Sequence, residues 1–214
     1  VINTIGLKDF IIFDLGGAST EVTLVKNRHI VKAVSLPIGA LTLTGTYQKG
    51  DEYTPKELEK MTKAVKKTIK EHTWLQNIKL PLLGIGGTAR NIAKIDQRKL
   101  SYPITKLHNY ELPYHRFHEI LEDVKGKSLE ARKKISGLSS DRADIIIAGL
   151  TIVDELFNYV NTKTLVVGGC GLREGLFYDY YGENYLGGNS IIDDILVHSA
   201  ENVLLSMTKH ELVH

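Results

Sequence analysis

Residues 14–21 combine acidic, glycine and hydroxyl side chains in a pattern that suits phosphate chemistry. Asp14 ends an apolar run, Glu21 opens the next one, and between them lie Leu15, Gly16, Gly17, Ala18, Ser19 and Thr20. The two glycines let a ligand approach the backbone, and the amides and hydroxyls of such a turn can bind an anion. Carboxylates on both sides suit a hard cation such as Mg²⁺. The pattern therefore predicts a phosphate and Mg²⁺ site, with a tight hairpin carrying incidental acids as the alternative.

The composition limits the class of protein. The chain has 214 residues, of which 43% are hydrophobic and 24% charged, values typical of a globular protein with a sizeable core. Its formal net charge of +2 gives no support for nucleic-acid binding. A single cysteine, Cys170, excludes an intrachain disulfide and fits a reducing compartment, so we expect a cytoplasmic protein. No apolar run is long enough to cross a bilayer, and we expect no membrane partner.

The elements that must position residues 14–21 follow from hydrophobic periodicity. Three strands, at 10–13, 22–26 and 30–36, are separated by turn residues and predict an antiparallel meander. Pro55 begins a helix that we predict to reach about Trp74. The other predicted elements are a strand at 80–85, a helix from Ala89 to about Ile95, short helices at 114–124 and 129–135, a helix apolar on nearly every side at 141–160, a strand at 164–167 and helices at 172–181 and 191 to about 209.

This order predicts an α/β fold. A mixed five-stranded sheet covered by helices matches the ribonuclease H-like domain of the actin and sugar-kinase superfamily. We place that domain at residues 1–185 and a C-terminal helical extension at residues 186–214. The stretch at 97–113 is irregular, with a short strand near Leu107–Leu112 as an option.

Four motifs occur in the order that one phosphatase family has them. They are Phe13–Glu21, Gly84–Thr88, Ser139–Ile146 and Gly168–Gly175. The set closely resembles the exopolyphosphatase and guanosine pentaphosphate phosphohydrolase (Ppx/GppA) family. Intact members have two ribonuclease H-like domains with the active site in the cleft between them, and this chain resembles the second domain only. The resemblance implies that the missing N-terminal domain of the same protein supplies the glutamate that activates water, so we expect this chain to be inactive alone.

The resemblance also implies roles for particular residues. Asp14 and Glu21 would hold Mg²⁺ directly or through water, and residues 16–20 would bind the terminal phosphate. The pattern Gly84-x-Gly86-x-x-Ala89 after a strand formally fits a dinucleotide fingerprint, but no acid closes a second βαβ strand at the expected distance. We expect instead that the phosphate channel is lined by Gly86, Gly87 and Thr88.

Arg142 is a further candidate. We expect it in the first turn of the helix at 141–160, where the helix dipole disfavours a cation and Ser139, Ser140 or Asp141 could cap the turn. A phosphate held by the guanidinium and helix amides would compensate for that placement. The alternative is an ion pair between Arg142 and Asp144 or another acid.

The function predicted from the resemblance is a Mg²⁺-dependent exopolyphosphatase that releases terminal orthophosphate from polyphosphate. Guanosine pentaphosphate is the alternative phosphoanhydride substrate. From another class, a nucleotide-dependent sugar kinase or actin-like ATPase shares the fold, and a non-catalytic phosphate-binding module describes the isolated chain. Whether the last helix pairs with a second copy in a homodimer stays open.

Overall fold

Six strands form one mixed sheet in the computed structural model, which describes residues 1–185, 187–188 and 191–211. The strands are β1 (Phe10–Leu15), β2 (Thr20–Lys26), β3 (His29–Leu36), β4 (Leu82–Ile85), β5 (Tyr110–Pro113) and β6 (Thr164–Val167), in the order β3-β2-β1-β4-β6-β5. The predicted count of five is therefore wrong, because the optional strand exists as β5. It is a four-residue edge strand that ends in proline and pairs antiparallel with β6 alone, which explains its weak sequence signal.

The register of the sheet brings the ends of three strands together. β1 and β2 form the predicted antiparallel hairpin, with Asp14 opposite Glu21. β1 and β4 run parallel, with Asp14 opposite Ile85. The residue after Ile85 is Gly86, so the first two predicted motifs meet at the carboxyl ends of two parallel strands, where ligands bind in open α/β sheets.

Eight helices are present in the described part of the chain. They are α1 (Ala40–Tyr47), α2 (Pro55–Lys70), α3 (Gly86–Lys99), α4 (Tyr114–Lys125), α5 (Leu129–Lys133), α6 (Ile146–Val160), α7 (Leu172–Tyr185) and α8 (Ile195–Glu211). Two 3₁₀ turns lie at Thr73–Leu75 and Ser140–Arg142. α2 begins where proline predicts it, and a capping box fixes its start because Thr54 and Glu57 satisfy each other's backbone amides.

Three of the differences from the predicted helices bear on the site, whereas others shift only an end, such as that of α2, which ends at Lys70 and not near Trp74. α1 was not predicted, because its threonines and glycine are weak helix formers. α3 begins at Gly86 rather than Ala89, so the second glycine motif is the first turn of a helix and not a loop. α6 begins at Ile146 and not at 141, after the 3₁₀ turn.

α6 is the centre of the core, as its apolar sequence predicts. Twelve of its fifteen residues are buried, and it packs against α1, α2, α3 and α4. β1 is covered on both faces, with Phe10, Ile11 and Phe13 fully buried. The strand that delivers Asp14 is thus anchored along its length, which fixes the position of the carboxylate at its end.

The chain forms two compact units, one of residues 9–169 and one of residues 1–8 with 170–214. All residues predicted for the site lie in the first unit. In the second unit, the Ile192 amide donates to Asn3 Oδ1 over 3.0 Å and the Gly171 amide to Glu174 Oε2 over 2.6 Å. The division into a domain at 1–185 and an extension at 186–214 stays a prediction. Among the described helices, none is long and apolar enough to cross a membrane.

Candidate active site

Two carboxylates form the centre of the site. Asp14 and Glu21 lie directly opposite each other on β1 and β2, which places their side chains on the same face of the sheet. Burial raises the pKa of Asp14, the negative charge of Glu21 raises it further, and the positive charge of Arg90 opposes both effects. The two acids therefore interact electrostatically, and a cation bound between them would relieve that repulsion.

Glu21 is held in its ionised form by hydroxyl groups. Ser19 Oγ donates to Glu21 Oε1 over 2.7 Å, and Ser35 Oγ donates to the same oxygen over 2.8 Å. These two hydrogen bonds lower the pKa of Glu21. Ser35 lies opposite Glu21 in the pairing of β2 with β3. We did not predict its role, although the register of the meander could have revealed it.

The loop at residues 16–19 is fixed by its own carbonyl groups. The Gly16 amide donates to the Ser19 carbonyl over 2.9 Å, and the carbonyls of Gly16 and Gly17 accept from the first amides of α1, at Ala40 and Leu41. In the described part of the chain, the amides of Gly17 and Ala18 have no backbone acceptor, and both residues are exposed. Both amides could therefore bind an anion.

The start of α1 packs closely against the loop at residues 16–19. A Cβ built on Gly39 would lie 2.4 Å from the carbonyl group of Gly17 and 2.5 Å from that of Ala18. Only glycine at 39 permits this approach. The unpredicted α1 is therefore what supports residues 16–18.

The two threonines of the predicted phosphate site point into the protein. Thr20 is fully buried and donates its hydroxyl to the Ile38 carbonyl over 2.7 Å. Thr88 is 3% exposed and packs against Gly149 of α6, where an added Cβ would lie 2.8 Å from Thr88 Cγ2. These positions differ from the expected one, because each hydroxyl lies in the interior.

Gly86 and Gly87 make room for the functional side chains of the other motifs. A Cβ on Gly86 would lie 2.7 Å from Asp14 Oδ1, and one on Gly87 would lie 2.3 Å from Arg142 Cζ. Gly86 has a φ of +84°, a conformation that glycine adopts without strain. The first turn of α3 is therefore flanked by a carboxylate and a guanidinium on adjacent residues.

Arg142 reaches this point from the 3₁₀ turn and not from α6. Its predicted position in the first turn of the buried helix is wrong, since α6 begins four residues later. The dipole argument for Arg142 therefore does not apply to α6. Among the described residues no ion pair joins Arg142 to Asp144, whose Oδ1 instead accepts from the Ile145 amide over 2.9 Å. The half-buried guanidinium faces Gly87.

Asn91 connects the two segments that carry Gly87 and Arg142. Its Nδ2 donates to the Gly87 carbonyl over 2.8 Å, and its Oδ1 accepts from the amide and hydroxyl of Ser139 over 2.8 and 3.1 Å. Ser139 in turn accepts from the Arg142 amide over 3.0 Å. The expected caps at the turn are thus replaced by a buried side chain of α3. Nothing in the sequence separates Asn91 from any other helical asparagine.

Arg90 adds a second cation beside the carboxylates. Its Nε donates to the Gly86 carbonyl over 3.1 Å, and its charge lowers the pKa of Asp14. We did not single it out, since an exposed arginine in a helix has no distinctive sequence signal. With Arg142, it gives the first turns of α3 two guanidinium groups.

The donor set fits Mg²⁺ better than a transition metal. Among the described residues, no group of three or more His, Cys, Asp or Glu side chains could hold a metal. Mg²⁺ usually takes one or two carboxylates and completes its shell with waters and substrate phosphates. Asp14 and Glu21, with Asp14 disfavoured as an isolated anion, match that requirement.

The fold and the four motifs together define the class of protein. A mixed sheet whose meander leads into parallel strands, with glycine turns at their carboxyl ends, is a ribonuclease H-like domain of the actin-like type. The chain belongs to the Ppx/GppA phosphatase family, whose model matches residues 1–183. The resemblance found in the four motifs is therefore confirmed.

Relatives with different activities match at similar levels. Exopolyphosphatase 2 of Mycobacterium tuberculosis is 26% identical over 69% of this chain and 46% of its own length. Guanosine-5′-triphosphate,3′-diphosphate pyrophosphatase of Pseudoalteromonas translucida is 26% identical over 81% of this chain and 34% of its own. A bifunctional 3-dehydroquinate synthase/phosphatase of Fusobacterium nucleatum is 28% identical over 74% of this chain and 24% of its own. The chain thus spans less than half the length of these curated relatives.

Solved structures agree with the fold. The Ppx/GppA family member of Aquifex aeolicus has a TM-score of 0.76 at 27% identity, covering 86% of this chain and 60% of that one. An exopolyphosphatase of Cytophaga hutchinsonii has a TM-score of 0.78 at 20% identity, over 85% of this chain and 60% of that one. The second likeness, at its low identity, bears on the fold alone.

Proposed function

We propose that residues 9–169 form one wall of a phosphoanhydride hydrolase active site, and that the intact protein is an exopolyphosphatase. It would release terminal orthophosphate from polyphosphate. The observation that carries this proposal is the meeting of Asp14 and Arg142 at adjacent residues of the first turn of α3, with Glu21 opposite Asp14 in the sheet. Membership of the Ppx/GppA family supports it.

The residues divide into phosphate binding and metal binding. The exposed amides of Gly17 and Ala18, the first turn of α3 and the guanidinium of Arg142 would bind the terminal phosphate, since helix N-termini and arginine forks both suit phosphate oxygens. Asp14 and Glu21 would hold Mg²⁺, which neutralises charge on the phosphate oxygens when bound. Thr20 would act indirectly, through the hydrogen bond of its hydroxyl to the Ile38 carbonyl, and Thr88 through its packing against Gly149.

Water activation needs a base that these two acids supply poorly. Two hydroxyl donors lower the pKa of Glu21, which makes it a weak base, and Asp14 would be occupied by the metal. We therefore assign the general base to the preceding domain expected of the intact protein. The isolated chain would bind phosphate weakly and turn over very little.

Guanosine pentaphosphate is the second candidate substrate. The relatives named for exopolyphosphatase and for guanosine pentaphosphate hydrolysis match at the same 26% identity, so likeness alone favours neither. Both reactions cleave a terminal phosphoanhydride and need the same wall of the site. The rival class, a sugar kinase or actin-like ATPase, gives no reason for Arg142 to lie on Gly87.

The intact protein decides between these functions. Orthophosphate release is measured from polyphosphate and guanosine pentaphosphate, and ADP formation from ATP with a sugar acceptor, for the wild type and for Arg142→Gln. Loss of one preorganised charge contact should lower kcat/KM about 100-fold, whereas Lys67→Gln, on the exposed face of α2, should change nothing. Sugar-dependent ATP turnover without phosphate release from polyphosphate would contradict the proposal.

A further inference from the structure

A second, strongly basic cavity lies along α3, away from its first turn. Its volume is about 730 Å³, and it lies between the later turns of α3 and residues 136–139. Lys94 and Arg98 contribute cationic groups to its wall, and its hydroxyl groups come from Ser101, Thr105, Ser136 and Ser139. Among the described residues, no acidic side chain lines it. Cations and hydroxyl donors without a carboxylate are the lining expected for a phosphate-bearing anion.

A neighbouring cavity of about 460 Å³ extends this surface. The two cavities share Arg98 and Ser136 and are therefore adjacent, and we call them together the α3 groove. The second cavity adds Lys99, Lys127 and Lys134, with Asp123 as its single acid. Five basic side chains and one carboxylate therefore line the α3 groove, a formal charge of +4 in a chain whose total is only +2.

Only part of this charge is neutralised by the protein. Asp123 accepts from Lys99 over 3.3 Å and also pairs with Lys127. In the described part of the chain, Lys94, Arg98 and Lys134 have no carboxylate within ion-pair distance. Helix dipoles explain cations near the ends of α3 and α5, such as Arg98 and Lys134. They do not explain Lys94, which lies in the middle of α3, or the convergence of all three on one groove.

Residues 139–142 connect the α3 groove to the candidate active site along the chain. Ser139 lines the groove, and its carbonyl accepts from the Arg142 amide over 3.0 Å. At a rise of 1.5 Å per residue, the eleven steps along α3 from Gly87 to Arg98 span about 16 Å. A single phosphate or pyrophosphate at Gly87 cannot reach Arg98, but a linear chain of several phosphates can.

We propose that the α3 groove binds the remote phosphates of a linear polyphosphate chain whose terminal phosphate lies at Gly87 and Arg142. This inference rests on the proposed function, and it names the part of the protein that distinguishes long substrates from short ones. The groove makes affinity rise with chain length, and each cation that contacts the chain adds to the salt dependence of binding.

The test is direct binding of phosphate chains to the 214-residue protein. Fluorescence anisotropy at low ionic strength gives the Kd for labelled long-chain polyphosphate and, by competition, for tripolyphosphate. In Lys94→Gln/Arg98→Gln, we expect Kd for the long chain to rise at least about tenfold and the slope of log K against log salt to become about 2 units less steep. Tripolyphosphate affinity should not change. The charge-matched control Lys67→Gln/Lys163→Gln, at exposed positions outside the groove, should behave as the wild type.

The outcomes separate this inference from the proposed function. If Arg142→Gln weakens both ligands while the double variant binds long chains normally, the groove is not a polyphosphate site and the proposed function stands. If Arg142→Gln changes neither ligand, the proposed site itself is wrong. Guanosine pentaphosphate is the third ligand, because its 3′-diphosphate has the same chemistry. The assignment of the α3 groove to polyphosphate would be overturned if the double variant lost affinity for guanosine pentaphosphate alone. It would also be overturned if the wild type did not bind long-chain polyphosphate.

Discussion

The guanidinium of Arg142 lies against the backbone of Gly87, so closely that a Cβ at residue 87 would be 2.3 Å from Cζ and 2.5 Å from Nη2. This contact joins the third family motif to the second, and Asp14 Oδ1 joins the first motif at the adjacent Gly86. Three segments distant in sequence thus meet on one helical turn. The absence of side chains at 86 and 87 is what allows them to meet.

Gly87→Ala should therefore damage activity more than stability. The new methyl group displaces the guanidinium, which is half-buried and can move outward, so folding should persist. We expect kcat/KM of the intact protein for phosphoanhydride hydrolysis to fall about 100-fold, as for loss of one preorganised charge contact. The matched control is Gly45→Ala in α1, where an added Cβ meets nothing within 4 Å. Equal activity of the two variants would contradict a role for the Arg142 position.

Asp14→Asn should stabilise the metal-free protein at pH 7. Because burial and Glu21 raise the pKa of Asp14, the folded state binds its proton more tightly than the unfolded chain does. The contribution of Asp14 to stability therefore falls as the pH rises from its usual value of 3.8 through the raised pKa. Chemical denaturation should show the variant as more stable at pH 7, with a gap that narrows towards pH 4.

Mg²⁺ should make the wild type more stable than Asp14→Asn, the reverse of the order expected without metal. A cation bound at the carboxylates stabilises the folded wild type by mass action, and Asp14→Asn removes a ligand. We expect Mg²⁺ to raise the Tm of the wild type and to leave that of the variant nearly unchanged. Glu111→Gln, at an exposed position in β5, is the control and should follow the wild type. Equal shifts in all three proteins would exclude Asp14 as a ligand.

Ser35→Ala should raise the pKa of Glu21 towards its usual value of 4.5. The Ser35 hydroxyl donates over 2.8 Å to the oxygen that also accepts from Ser19, and both bonds favour the ionised form. Carboxyl ¹³C NMR titration of Glu21 measures the change. In the intact protein, the acidic limb of the pH–rate profile should move to higher pH. Ser35→Thr keeps the hydroxyl and should restore the low pKa; a rise in that variant too would mean that the hydrogen bond is not the cause.

The local part of the site could be predicted from sequence, because the residues concerned are close together in the chain. The hairpin that pairs Asp14 with Glu21 follows from alternating strands and a glycine turn. The parallel pairing of β1 with β4, which brings Gly86 to Asp14, follows from the fold that the motif order implies.

The missed features depend on tertiary contacts. α1 is rich in threonine, and its first amides are satisfied by the carbonyls of Gly16 and Gly17 rather than by a local cap. β5 is stabilised by its antiparallel pairing with β6, whose other edge pairs with β4. The break between Arg142 and Ile146 has no proline or glycine to mark it, and the hydrogen bonds of Asn91 hold the turn before it. Hydrophobic periodicity in the sequence does not indicate these tertiary contacts.

Arg132 predicts a stabilising substitution away from the site. It is fully buried, yet in the described structure its Nε and Nη1 have no hydrogen-bond partner, and only Nη2 donates, to the Asp51 carbonyl over 3.2 Å. Burial lowers its pKa. Replacing a poorly paired buried charge with an apolar side chain of similar length is often neutral or stabilising, so Arg132→Met should raise the free energy of unfolding by about 1 kcal/mol. If urea denaturation instead shows that Arg132→Met lowers the free energy of unfolding by more than about 1 kcal/mol, the Arg132 charge is well compensated in the folded protein.

Asn91 offers the sharpest test of how the site is held together. Asn91→Ala removes hydrogen bonds to the Gly87 carbonyl and to Ser139, both partly buried, and should cost about 1–3 kcal/mol of stability. It should also lower kcat/KM about tenfold, because the turn that carries Arg142 loses its anchor.

A double-mutant cycle separates a role of Asn91 in positioning Arg142 from a general loss of folded protein. If Asn91 acts through Arg142, adding Asn91→Ala to Arg142→Gln should cause no further loss of kcat/KM, although the loss of stability persists. Independent, additive losses would show that Asn91 matters only for folding. Asn158→Ala, at an exposed position whose side chain contacts Asp154 over 3.4 Å and not Gly87 or Ser139, should leave kcat/KM unchanged.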